Sequence, residues 1–211
     1  MRVLGYGEDA LTYWALSRHL PAVIGQPPLS DDSTENDNLL LIYKPSFGRA
    51  GGQGSAQFGE FDAIVATTRA VYLIESKWTG EPIINRQVIL AGRQILRHQV
   101  FRWIRDRWLE EVPGNWEQFY NGNRNARDFA ERFAGKPLVQ PGRRVASNLQ
   151  YVLQQLPGRS APTKDVLLYF RLEGDIPPEG VANGPTFVVV PFLFHPVNPE
   201  HGGRIIDMQA R

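Results

Sequence analysis

The sequence predicts an α/β protein in which a central mixed β-sheet is flanked by helices. Two observations carry this expectation. Five short apolar segments have the length and composition of strands, and helical segments precede, separate and follow them. No internal repeat and no low-complexity tail interrupts that order.

In chain order, GEDALTYWALSRHL (7 to 20) reads as an amphipathic helix with Leu11, Ala15 and the Trp14 region on one stripe. A polar loop rich in turn formers follows at 26 to 38. LLLIYKP (39 to 45) reads as a strand ended by Pro45, and the Gly-rich stretch 48 to 59 as a long hairpin tip. That stretch lacks the Gly-Lys-Ser/Thr ending of a phosphate-binding loop. FDAIVAT (61 to 67) and AVYLIESKW (70 to 78) are strands joined by a tight turn, and Gly80 and Pro82 break the chain. A long helix is expected from about Arg86 to Glu111, ended by Pro113 and Gly114. Residues 113 to 145 are polar and irregular, with a short helix at 125 to 133. A helix at 146 to 156 and strands at 165 to 173 and 186 to 195, the last bent at Pro191, complete the chain. Residues 1–112 thus form a core unit, and 113–211 complete or extend the same domain.

Bulk composition narrows the function classes. The chain has 211 residues, 42% hydrophobic and 21% charged, which suits one domain with a full core. A net charge of +1 argues neither for nor against nucleic acid, and the excess of Arg over Lys is also what a GC-rich genome produces. The absence of cysteine removes disulfides, thiol nucleophiles and cysteine zinc sites. Glu8 and Asp9 come too early for a signal peptide, and no apolar run nears the ~18 residues of a membrane span. A cytoplasmic protein without membrane contact is expected. The apolar strand TFVVVPFLFH suits either sheet core or a homodimer surface.

The chemistry concentrates at YLIESKW. Glu75 and Lys77, two apart, share one face of an otherwise apolar strand. Charges in such a setting are normally paired, metal-bound or at an open strand end. If the two strands form an antiparallel hairpin, Asp62 at the start of one and Glu75 near the end of the next lie at the same end of the sheet. Two carboxylates with free oxygens are a ligand set that Mg²⁺ accepts, with Mn²⁺ as its substitute. Such a metal activates water and neutralises a scissile phosphate, and a neighbouring lysine assists. The class suggested is phosphodiester hydrolysis. Ser76 points to the opposite face, so it is not read as a nucleophile. None of the four histidines has metal-ligand spacing.

Asp62, then Glu75-Ser76-Lys77 thirteen residues on, resembles the signature of the restriction-endonuclease-like nucleases, an Asp followed by Asp/Glu-x-Lys. From Gly7 to about Ile104 the chain is most similar to the nuclease-related domain (NERD). Gly7-Glu8 opens the first helix, Glu60-Phe61-Asp62 precedes an apolar strand, Ile74-Glu75-Ser76-Lys77 is followed by Gly80, and the next helix carries Gln94 and His98. The resemblance implies Mg²⁺-dependent cleavage of nucleic acid, DNA above RNA. Asp62, Glu75 and Glu8 would hold the metal, Lys77 would serve the attacking water, and Gln94 would contact phosphate or Lys77. Gln99 competes with Gln94 for that place. From Arg86 to Trp108 the expected long helix carries six arginines against one acid, Asp106, so Arg86, Arg93 and Arg97 are candidate phosphate contacts. Phe101, Trp103 and Trp108 are candidates for base stacking, although aromatics at helical spacing are more often core. The rival reading is a nucleic-acid-binding or assembly module that keeps the fold without cutting.

Overall fold

A computed structural model describes residues 3–34, 37–48, 59–78, 83–184, 186–197 and 205–208. Most of the Gly-rich segment, together with Gly80, Pro82 and His201, lies outside the described residues.

Five strands build the central sheet: β2 (Leu40–Tyr43), β3 (Ala63–Ala66), β4 (Val71–Trp78), β7 (Thr163–Arg171) and β9 (Phe187–Leu193), in the order β2-β3-β4-β7-β9. The first three are mutually antiparallel, and β4, β7 and β9 run parallel, so the sheet is mixed as expected. The strands from residues 163 onward pair directly with β4, so the second half of the chain completes the same sheet. Pro191 stands in β9, the edge strand, where a missing N–H is tolerated.

Helices cover both faces. On one lie α1 (Gly7–Arg18) and α2 (Leu20–Ile24), whose Leu11, Ala15, Leu16 and Val23 pack on Ala63, Val65, Tyr72 and Ile74. On the other lie α3 (Gly92–Glu111), α4 (Trp116–Asn121), α5 (Asn125–Arg132) and α6 (Arg144–Gln155), packed on Ile64, Ala66, Val71 and Leu73. The alternation of Leu73 with Tyr72 and Ile74 is the two-residue period of a strand buried on both faces. Phe101 and Trp108 are buried and Trp103 packs on the same cluster, so they are core and not a stacking platform. Two further strands, β1 (Leu4–Tyr6) and β10 (Ile205–Asp207), pair antiparallel, and β5 (Ile83–Ile84), β6 (Gln87–Val88) and β8 (Gly180–Val181) make a small second sheet. Among the described residues no helix is long and apolar enough to cross a membrane.

Two expectations need correction. The long helix begins at Gly92, not at Arg86. Residues 83–88 instead form the β5–β6 hairpin, with Asn85 and Arg86 both left-handed (φ 50° and 63°) in its two-residue turn. Two such residues give the turn whose twist matches a hairpin, and Asn is among the few side chains at ease there. Second, α4 orders part of the region expected to be irregular; Asn115 caps it by accepting from the Gln118 amide at 2.9 Å.

Candidate active site

The β3–β4 hairpin does bring the predicted acids together. Its ladder pairs Ala63 with Ile74, so continuing the register sets Asp62 opposite Glu75. Both share the face of Ile64 and Leu73, beneath α3. Asp62 is fixed by a hydrogen bond from the Ser76 amide to its Oδ2 at 2.8 Å. Lys77 follows on the same face and donates to Glu8 Oε1 at 3.4 Å, which brings in the first turn of α1. Ser76 is fully buried.

From above, α3 supplies Gln94 and Arg97. Gln94 Oε1 accepts from the Ala91 amide at 2.8 Å, anchoring the helix start, while its Nε2 donates to Glu75 Oε1. Gln94 therefore meets the acid rather than Lys77, and Gln99 points to solvent. Arg97 pairs with Glu75 Oε2 at 2.5 Å and donates to the Glu60 carbonyl. These residues line an open cleft of about 550 Å³.

The predicted phosphate-binding arginines separate. Arg86 sits in the β5–β6 turn, paired with Glu179 at 2.7 Å and outside the cleft lining. Arg97 is buried and committed to Glu75, so it serves the acid and is not a free phosphate ligand. Arg93 lines the cleft and is exposed. Farther along α3, Arg102 pairs with Asp165 at 2.7 Å, Arg105 donates to Thr163 and to the carbonyls of Pro157 and Ala161, and Arg107 reaches Asp128 at 3.3 Å. The basic helix is thus largely internal scaffolding.

Electrostatics single out Glu75, whose side chain is only 3% exposed. Burial, reinforced by the charge of Asp62, pushes its carboxyl up from 4.5 to about 7, against the opposing pull of Arg97, Lys77 and Gln94. Behind it, His98 Nδ1 lies 3.0 Å from Asp165 Oδ1, and its buried Nε2, which has no hydrogen-bond partner, is 4.0 Å from Glu75 Oε2. Burial lowers His98, outweighing Asp165. Burial acts to raise Asp165, but His98, Arg102 and Thr186 together hold it below the usual carboxylate range.

Lys44 was not anticipated. It directly follows β2, and its amide donates to the Asp62 carbonyl at 3.1 Å. Its Nζ is 2.5 Å from Asp9 and 3.7 Å from both Glu60 and Asp62. Burial opposes its charge, yet Asp9, Asp62 and Glu60 hold the ammonium above its ordinary range. Extending the antiparallel register one strand further would have found it, since Tyr43 pairs with Ala63.

Among the described residues, no three or more His, Asp or Glu side chains gather into a ready-made metal cage. Asp62, Glu75 and Glu8 share the cleft without forming one. The donor set still suits Mg²⁺, which keeps several waters and needs only one or two carboxylates plus substrate oxygen. Asp62 and Glu75 lie together under one helix, and the charge of Asp62 adds to burial in raising Glu75, a repulsion that a bound cation would relieve. No protein-family model, no curated protein and no solved structure matches the chain.

Proposed function

We propose that this chain is a Mg²⁺-dependent nuclease that hydrolyses phosphodiester bonds, in DNA in preference to RNA. One observation carries the reading: Asp62, Glu75 and Lys77 converge at one end and one face of the sheet, inside an open cleft. The same order and elements are what the resemblance to restriction-endonuclease-like nucleases, and to NERD in particular, implies. Asp62 and Glu75 are the residues that would hold the metal, with Glu8 joining directly or through water. A bound Mg²⁺ supplies an activated water and neutralises charge on the scissile phosphate.

The chain's own groups do the rest. Lys77 Nζ, held by Glu8, donates a hydrogen bond to the attacking water or to the charged oxygens of the pentavalent transition state. Gln94 and Arg97 keep the Glu75 carboxylate in one orientation, so no reorganisation is needed as charge develops. Burial of Glu75, with His98 and Asp165 behind it, keeps bulk water from the acid.

Purified protein is incubated with plasmid DNA and with RNA, with Mg²⁺, with Mn²⁺ and with EDTA. Metal-dependent cleavage that falls at least ~100-fold in Lys77→Ala and Glu75→Ala supports the proposal, a loss in the range of one removed electrostatic donor. Equal cutting by the variants removes the site assignment.

A second reading, a non-cleaving nucleic-acid-binding or assembly module, has one observation in its favour. Both Glu75 oxygens already accept hydrogen bonds, from Gln94 and Arg97. Nucleic-acid binding with no cleavage under any metal would select it.

A further inference from the structure

The cleft divides into an inner and an outer set of charges. Inside, each cation is committed to a carboxylate: Lys44 to Asp9, Lys77 to Glu8 and Arg97 to Glu75. Two more cations line the same cleft, Arg93 and Lys136. Both are exposed, and among the described residues neither has a carboxylate partner. Arg69, Arg86, Arg102, Arg107 and Arg127 are paired with acids, and exposed arginines that are not, such as Arg18 and Arg144, lie outside the cleft, so position singles out Arg93 and Lys136.

The two come from separate parts of the chain and are both held on fixed backbone. Arg93 occupies the first turn of α3, one residue before Gln94, whose side chain bonds the Ala91 amide and Glu75. Lys136 follows α5, where Ala134 and Gly135 are both left-handed (φ 53° and 78°) and reverse the chain. The Gly135 amide donates to the Ala130 carbonyl at 2.8 Å and the Lys136 amide to Phe133 at 3.1 Å. Buried Phe133, Leu138 and Val139 pin the loop on either side. A non-glycine residue in the left-handed region is uncommon, and here the reversal carries Lys136 to the cleft.

We propose that Arg93 and Lys136 form a clamp for two nucleic-acid backbone phosphates adjoining the one bound at Asp62 and Glu75. This rests on the nuclease reading of the cleft, and it gives residues beyond 112 a direct part in gripping substrate. Two cations without carboxylate partners at the mouth of a cleft whose inner cations are each committed to an acid attract a polyanion and leave the metal-binding acids undisturbed. The arginine offers a planar fork to two phosphate oxygens, and the lysine a point charge.

The test measures binding of fluorescent duplex DNA and duplex RNA, in EDTA, across a salt series. The proteins are wild type, Arg93→Gln, Lys136→Gln, the double variant, and Arg127→Gln as a charge control outside the cleft. Each phosphate contact to B-form DNA contributes about 0.9 to the slope of log affinity against log salt. The double variant should lose roughly 1.8 of that slope, each single variant about half of it, and Arg127→Gln none. Raising salt fourfold should then weaken wild type about tenfold more than the double variant. Thermal melts confirm that the variants fold, as expected for two exposed side chains. The DNA and RNA arms identify which backbone the clamp prefers. Unchanged slopes in a folded double variant overturn the clamp, even if the protein cleaves. A reduced slope in a protein that never cleaves upholds the clamp and removes the nuclease. Absence of any binding by wild type overturns the clamp directly.

Discussion

Glu75 makes stability depend on pH in an unusual direction. A carboxyl raised from 4.5 to about 7 keeps its proton in the fold while the unfolded chain has released it. Between those values the native state binds more protons, so stability falls as pH rises and the loss is complete above about pH 7. The gap, at ~1.4 kcal/mol per pH unit, is worth about 3 kcal/mol, most of which develops between about pH 5 and pH 8. His98 slopes the other way: it is held neutral, so the unfolded chain takes up protons below 6.5 and stability rises with pH there. Glu75→Gln retains His98 and removes only the acid, so the difference between variant and wild type isolates Glu75. Urea unfolding in EDTA at about pH 5 and pH 8 should show the variant gaining about 2 to 3 kcal/mol on wild type across that range. In melting temperature that is about 5 to 10 °C for a chain of this size. Millimolar Mg²⁺ should abolish the difference, because a cation stabilises the ionised acid. Parallel stability curves would refute the buried, strained carboxylate, and curves that Mg²⁺ leaves unmoved would refute the metal assignment.

Two further outcomes concern the scaffold. Asp165→Asn removes the charge that His98, Arg102 and Thr186 all address, and should lower stability by about 3 kcal/mol, a melting shift of roughly 6 to 12 °C. A shift under about 2 °C would mean that the node is not a stabilising one. Arg105→Ala leaves the carbonyls of Pro157 and Ala161 without their donor and should cost about 2 to 3 kcal/mol. Arg105→Lys should recover only part of that in the same denaturation assay, because one ammonium cannot reproduce the fork.

The strands and their faces were legible because β4 is apolar enough to stand out and its two charges break the pattern in step with the period of two. That period alone set Glu75 and Lys77 together, and the tight turn after Ala66 brought in Asp62. What the chain did not disclose was which cations were already spoken for. Arg97 and Arg102 look alike in sequence, yet one meets Glu75 and the other Asp165, a residue 63 positions away. Such pairings follow from helix rotation and sheet order, which depend on β7 inserting beside β4. The start of α3 was misplaced for a local reason: Arg86 to Val88 reads as the helix's first turn unless Asn85 and Arg86 are recognised as a hairpin turn.

The position of Asp62 explains why the acid and the cleft coincide. The β3–β4 ladder stops at Ala63 and Ile74, so the Ser76 amide, on a fully buried residue, has lost its backbone partner on the β3 side. The Asp62 side chain supplies the missing acceptor. One oxygen therefore closes the sheet while the other faces the cleft, 3.7 Å from Lys44. The two duties separate by substitution. Asp62→Asn retains an acceptor for Ser76 and should stay within about 1 kcal/mol of wild type. It also removes the charge that helps raise Glu75, so Glu75 should titrate below its wild-type value. Asp62→Ala strands a buried N–H and should cost a further 1 to 3 kcal/mol, approximately. Denaturation of both variants, with Glu75 followed by carboxyl NMR, measures each duty. Equal stability in the two would show that water replaces the carboxylate at Ser76, and an unmoved Glu75 would show that the two acids do not feel each other.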